Sequence, residues 1–396
     1  MNRLTWRFTA LDSWFFKESR PFDSIGGSEL NSVFPPSPAT MAGAIRSVIG
    51  NHQNIDWKSY PQHYPELQKQ IGDSDSLGAM RLKGTFLSRK ISGQDWERLY
   101  PVPAHLVAAM EKAEIKELHF LQVGNPVHCD LGEQVCLAVA PVKGIKTLED
   151  YWLTQAGLNK VLTGQLPDKT ELIKSDDLFH SEARLGIARS NQSRTVIQGN
   201  LYQTQHIRPK AQLAVEVDID GLDGVDYPNS GIVRLGGEGR GAAFSVVVAN
   251  SGLASPDFPA TNAADIKLVL LSAVAISQKE SYAPLPGFKQ TEQHGKTVWR
   301  GKIGSTDLTL HCAIIGKVLR EGGWDLRKFQ AKPVRSLIPA GSVFYCTVNS
   351  DIKTAIDELQ AGQLSCNPLD TALGRGLITA APWFKHDSID NKENHS

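Results

Sequence analysis

Leu4, Trp6, Phe8 and Ala10 alternate with Thr5, Arg7 and Thr9, the period of a strand buried on one face. A long loop ending in FPPSP follows. Ser37 then offers an N-cap and Pro38 suits the first turn of a helix over ATMAGAIRSVIG. On that helix Met41, Ile45 and Val48 share one face, while Ala39, Gly43 and Arg46 form a second stripe of small residues. Such a stripe lets another backbone come close and aims Arg46 at it, toward a phosphate or a backbone carbonyl. Residues 50–130 mix short apolar runs with Pro, Gly and charge, and no period assigns them. EQVCLAVA (133–140) reads as a strand, and Thr147 as the cap of a short helix around LEDYWLTQAG. EARLGIA and TVIQGNLYQTQHI read as two strands joined by the polar turn SNQS. QLAVEVDID, GIVRL, AAFSVVV, DLTLHCAII and GSVFYCTV follow as strands, with one helix at DIKTAIDELQAG. LVLLSAVAI (268–276) is half the length of a spanning helix and contains a serine, so it predicts a buried strand. Many strands and few helices in this order predict an α+β protein, not a doubly wound sheet.

A chain of 396 residues predicts two domains. Its 42 basic and 42 acidic residues cancel, so any nucleic-acid contact has to be local. Residues 181–210 carry Arg184, Arg189, Arg194, Arg208 and Lys210 against Glu182 alone, a local excess of about four positive charges. Arg189 and Arg194 flank the tip of that hairpin, which is expected to project as a basic finger. The five cysteines form no CxxC pair and read as reduced thiols. His128-Cys129 and His311-Cys312 lack the spacing of a zinc site, and no carboxylate cluster suggests a catalytic metal. The N-terminus has no apolar signal region, so a cytoplasmic protein is expected. KHDSIDNKENHS, at the far end, is too poor in apolar residues to pack.

The stretch GIVRLGGEGRGAAFSVVV (231–248) raises the question of phosphate binding. A dinucleotide fingerprint needs a helix after the glycines, but AAFSVVV is β-branched. A P-loop needs GK[ST], which is missing. A hairpin turn and an anion-binding loop both remain, the second because bare amides and Arg240 suit a polymer backbone. Glu238 is expected to hold Arg240 or a backbone amide. LGRGL (373–377) is a second loop of this type.

FFKESRPFD, FPPSPATMAGAIRS, EARLGIARSNQSRTVIQGNLY, RLGGEGRG, GGWDLRKFQAKPVRSLIPAGSVFYC and ALGRGLITAAPWF together resemble one family. It is that of the third subunit of the Cmr complex, the type III-B CRISPR RNA-guided silencing machine, within the RAMP superfamily. The likeness runs from about residue 12 to 384. It implies two ferredoxin-like (RRM-like) domains with long insertions and glycine-rich loops. The expected division is residues 1–210, residues 211–385 and a disordered tail at 386–396. The resemblance also implies a non-catalytic subunit, without cofactor or metal, that holds the repeat-derived 5′ tag of a guide RNA. Its implied partners are that RNA, the large polymerase-type subunit and the backbone RAMP subunit, with no membrane. Gly236, Gly237, Gly239, Arg240 and Gly241, with Gly374, Arg375 and Gly376, would face RNA or a neighbouring subunit. Arg20, Arg46, Arg189 and Arg194 complete the candidate RNA contacts. The aromatic consensus of an RNA-binding sheet face is missing, so RNA would be held through loops.

Two rival functions stay open. Relatives in the superfamily cut guide precursors without metal, and that chemistry needs a general base near a 2′-hydroxyl and a cation for the phosphorane. His206, with Arg208 and Lys210 beside it, is the candidate; otherwise it is a strand histidine near a basic patch. A purely structural subunit that contacts only proteins is the second rival.

Overall fold

The computed structural model describes residues 3–18, 29–93, 95–190, 192–193, 195–249, 264–275, 283–325, 330–360, 362–364 and 367–383. Strands dominate and helices are few, an α+β arrangement built on several sheets. The first large sheet has eight strands in the order Leu172–Lys174, Tyr151–Thr154, Asp95–Pro101, Arg81–Ser92, Leu213–Asp220, Leu4–Ala10, Gly241–Val248 and Ser230–Arg234. The second is built on Ile378–Pro382, Asp265–Leu270, Val343–Val348, Thr306–Ile314, Lys296–Ile303, Gly132–Val139 and Gln122–Cys129, with Lys289–Gln293 paired beside Lys296–Ile303. A hairpin of Phe179–Arg189 and Val196–Pro209, with Glu29–Leu30 added in parallel, forms a third, smaller sheet. Strand pairing therefore carries the first sheet to Val248, past the boundary expected at residue 210. It also sends residues 122–139 into the second sheet. The expected tail at 386–396 lies outside the described residues. Among the described residues no helix is long and apolar enough to cross a membrane.

The opening strand shows why this sequence folds as it does. Trp6 and Phe8 are fully buried against a helix, α1 (Pro38–His52), whose Met41, Ile45 and Ile49 are buried in the same core. Ser37 caps α1 by accepting from the Thr40 amide at 3.2 Å. The alternate positions carry charge. Thr5 donates to Asp218 at 2.7 Å and Arg7 to Glu216 at 2.8 Å, while Arg98 reaches both carboxylates. Glu216 and Asp218 are buried, so they require these partners. This face of the sheet is filled by an ion-pair ladder, with Arg98 over the Phe86 ring and Arg7 over the Trp96 ring.

Three expectations change in the structure. The helix expected from Thr147 starts later: Tyr151–Thr154 is a strand, and Thr154 caps a helix, α2 (Gln155–Leu162), by accepting from the Gly157 amide. Aromatic and β-branched side chains at YWLT suit pairing between two strands better than a helical first turn. The apolar run 268–275 is divided between two sheets, as Asp265–Leu270 and Val274–Ala275. Arg46 reaches backbone, but not through a close approach at Gly43, beside which a methyl group would meet nothing. Its guanidinium donates to the Ile71 carbonyl at 2.6 Å and to the Ser76 carbonyl, holding the end of the helix Pro65–Ile71. A cation at a helix C-terminus is favourable, so Arg46 acts inside the fold.

LGRGL also turns inward. A Cβ on Gly374 would sit 2.6 Å from the Leu82 carbonyl oxygen, and one on Gly376 would land on that of Leu364. Both glycines have positive φ, at +69° and +72°. Arg375 is only 1% exposed, donates to Glu321 at 2.7 Å and forms an ion pair with Asp370 at 3.1 Å. Arg335 approaches the same two carboxylates from the other side. The arginine expected to face RNA is thus the core of a buried charge network, because its loop is clamped between the two large sheets. Across the same junction Lys267 donates to the Val161 carbonyl at 2.7 Å, at the end of α2. Phe86, Leu158, Val269 and Tyr345 pack around it in one cluster drawn from both sheets.

Replacing Arg46 by Met is expected to lower stability by about 2 kcal/mol, read by urea denaturation, since two charge-assisted bonds to carbonyls are lost. Lys267 gives a pH signature. Burial drives its ammonium from 10.5 down to about 7. Between those values the unfolded chain binds more protons, so Lys267 disfavours folding below pH 7 and this effect fades as pH rises. Lys267→Met should raise the melting temperature at pH 6, and its advantage over wild type should shrink toward pH 10.

Candidate nucleic-acid interface

Gly236 to Gly241 join the edge strand Ser230–Arg234 to Gly241–Val248. The connection is a tight turn: the Arg240 amide bonds the Gly237 carbonyl at 3.2 Å, and Glu238 and Gly239 between them have φ of +55° and +66°. Positive φ at both central positions is what a type I′ turn requires. The other glycines answer to Phe15. The Gly237 amide donates to its carbonyl at 2.7 Å, and a Cβ on Gly236 would meet the same oxygen at 2.6 Å. The turn is therefore a hairpin, pressed onto the chain that leaves the opening strand.

That pressing creates the site. Trp14 and Ile207 exchange two backbone bonds of 2.8 Å, which lays residues 11–16 along the hairpin of the third sheet. Asp12 then meets three arginines from three places in the chain. Its Oδ2 accepts from Arg184 at 3.0 Å and from Arg240 at 3.3 Å, and its Oδ1 accepts from Arg208 at 2.9 Å. Glu182 takes Arg184 at 2.7 Å and also Arg208. Glu238, the expected holder of Arg240, is replaced in that role by Asp12, because positive φ at the turn and the Trp14 bridge bring Arg240 to the opposite side. Three guanidinium groups against two carboxylates leave a net positive patch, all five side chains being partly exposed. Arg240 keeps its Nε buried without a hydrogen-bond partner.

His206 lies beneath this patch and is 1% exposed. Its ring stacks on Phe15 with centroids 5.1 Å apart, Nδ1 is 3.3 Å from the Ser13 hydroxyl and Nε2 is 3.1 Å from that of Thr204. Burial, then the nearby Arg240 and Arg184, push its pKa below the ordinary histidine value. The ring is thus enclosed, with both nitrogens within hydrogen-bond reach of neighbouring hydroxyls. Among the described residues no group of three or more metal-ligating side chains is found.

On the other side of the turn lies an open groove of about 850 Å³. Leu11, His52, Trp57, Ile232 and Arg234 line it beside Gly239 and Gly241. Trp57 and Ile232 are well exposed there.

Of the sequence candidates, the structure brings together Gly236, Gly237, Gly239, Arg240 and Gly241 with Arg208 and His206. Arg46 and Gly374–Gly376 lie elsewhere, inside the fold. Arg20 and Arg194 fall outside the described residues, and only the backbone of Arg189 is described. Sequence reading missed Asp12 as the hub, Glu182 as its second anion and Trp57 in the groove. The excess of arginine in residues 181–210 was a usable signal for Arg184. Nothing local marked Asp12.

A family model described as "CRISPR-associated protein (Cas_Cmr3)" matches residues 6–383. No curated protein matches the chain. Among solved structures it is similar to a chain of the type III-B Cmr-beta complex bound to cognate target RNA and AMPPnP. Identity is 15%, coverage is 95% of this chain and 98% of that one, and the TM-score is 0.47. A chain of the Cmr-beta complex bound to cognate target RNA is 16% identical, with 91% and 89% covered and a TM-score of 0.45. A chain of the Csm3–Csm4 subcomplex of the type III-A CRISPR-Cas interference complex is 12% identical, with 90% and 96% covered and a TM-score of 0.36.

The arginines should leave a mark at low pH. Hydrogen bonds from Arg184 and Arg208 hold the Asp12 carboxyl down at about 2, against an ordinary 3.8. The same pair, Arg208 first, holds Glu182 at about 2, against 4.5. Stabilisation from a depressed carboxyl is present above its unfolded value and is lost as pH falls through the folded one. Carboxyl NMR titrations should therefore give midpoints near 2 for both. Arg184→Gln should move both midpoints upward, toward the ordinary values.

Proposed function

The chain belongs to the Cas_Cmr3 family of CRISPR-associated proteins, and from that premise we propose that it is a non-catalytic RNA-binding subunit of a type III-B CRISPR (Cmr) complex. In this reading it holds the 5′ tag of the guide RNA and bridges the large polymerase-type subunit to the backbone filament. Two ferredoxin-like units would be organised around the two large sheets. The observation that carries the reading is the meeting of Arg184, Arg208 and Arg240 on one exposed patch. Guanidinium forks suit phosphate oxygens, and contacts to phosphate position a strand without reading its bases. The neighbouring groove, with the exposed Trp57 ring, gives bases an apolar surface beside the cations.

The nuclease alternative lacks support at its one candidate, since His206 is buried with both nitrogens engaged. A strictly protein-contacting subunit would not require three arginines at a solvent-facing position.

Purified protein mixed with labelled repeat-containing RNA is expected to bind it and leave it intact in the absence of metal. Arg208→Ala should weaken binding by a similar factor for any tag sequence and reduce the salt slope by about 0.7, one single-strand phosphate contact. Cleavage that disappears in His206→Ala would restore the nuclease. Failure to bind RNA, alone and in the assembled complex, would leave the protein-contact role.

A further inference from the structure

The arrangement around Asp12 differs from an ordinary surface ion pair. One carboxylate receives three guanidinium groups, from Arg184 and Arg208 on the hairpin and Arg240 on the turn. Among the described residues its further polar contact is the Ser13 hydroxyl, which donates to it at 3.4 Å. Surface pairs contribute little to stability, and a single partner would satisfy a structural aspartate. Asp12 is also the most exposed member of the group, at 48%, whereas the three arginines are between 24% and 34% exposed. Asp12 is therefore open to solvent, and the cations around it are within reach of an incoming anion. Glu182 binds Arg184 and Arg208 independently, so two of the forks stay aimed if Asp12 swings away.

We propose that Asp12 is a resident anion that occupies the place of one RNA phosphate among Arg184, Arg208 and Arg240, and that a guide strand binds by displacing it. The inference rests on the RNA-holding role proposed above and adds a mechanism to it. A phosphodiester carries the same single charge as the carboxylate, with two non-bridging oxygens to accept from the same donors. The exchange is nearly neutral in charge at this one point. Binding then depends on further phosphate contacts along the strand, and isolated small anions gain little. Asp12 thereby favours a polymer over free phosphate.

The test uses the full-length protein, with tag RNA followed by fluorescence anisotropy at several salt concentrations. Asp12→Asn keeps the size and removes the charge. It is expected to bind tag RNA about three- to tenfold more tightly, with a salt slope steeper by about 0.7. Inorganic phosphate should stabilise this variant in a thermal melt and leave wild type unchanged. The double variant Asp12→Asn/Arg184→Gln should return the RNA affinity to near the wild-type value. If Asp12→Asn folds and binds RNA no more tightly than a wild type that does bind, the displacement idea is overturned and the RNA-holding role stands. If neither protein binds RNA, both are overturned. A gain for inorganic phosphate without one for RNA marks a small-anion site and overturns the proposal. Should Asp12→Asn fail to fold, wild type is cross-linked to tag RNA carrying 4-thiouridine. Cross-links to residues 181–189, 203–210 and 235–241 are then expected, and their absence while RNA is bound overturns it.

Discussion

The ion pairing at Asp12 is where three pieces of chain with no sequence proximity meet. The opening strand ends just before it, the hairpin of the third sheet supplies Arg184 and Arg208, and the turn at the edge of the first sheet supplies Arg240. Each piece is fixed separately by backbone bonding, through the Trp14–Ile207 bridge and the Gly237–Phe15 bond. The charges meet because those bonds leave them nowhere else to point. Side chains placed by rigid strands can hold an anion with little reorganisation, which a loop of loose arginines could not do.

Charge is used in two distinct ways in this molecule. Inside, Arg375 and Arg335 share Glu321 and Asp370, and Arg98 and Arg7 share Glu216 and Asp218. These buried ladders are balanced in sign, as the low dielectric demands, and a missing partner there would leave a charge uncompensated. At the surface the balance is relaxed. Around Asp12 the cations exceed the anions, and water screens the surplus until a polyanion arrives. An overall neutral chain thus carries a positive patch because its neutrality is made up elsewhere.

The two glycine–arginine loops separate along the same line. In LGRGL the glycines let the loop lie against the Leu82 and Leu364 backbones, and Arg375 follows it into the core. In GGEGRG two glycines accommodate Phe15, but Gly239 faces open space and Arg240 stays near the surface. The motifs look alike in letters and differ in what lies opposite them.

Alternation made the principal strands legible: a slip of one residue would exchange Trp6 and Phe8, or Val215 and Val217, with the polar positions Thr5, Arg7, Glu216 and Asp218 that pair on the other face. The Ser37 cap was legible for a similar reason, since a cap is a bond between neighbours in sequence. Likeness of whole segments pointed to the family that matches residues 6–383. Within residues 50–130, Arg81–Ser92 pairs on one side with the nearby Asp95–Pro101 but on the other with Leu213–Asp220, more than a hundred residues away, and no local pattern announces that second partner. The same limit hid the site. Asp12 and Arg240 are separated by 228 positions, and neither has a local pattern that names the other. Which arginines face solvent and which are enclosed depends on the backbone that packs across from each, and that opposing surface exists only once the sheets have assembled.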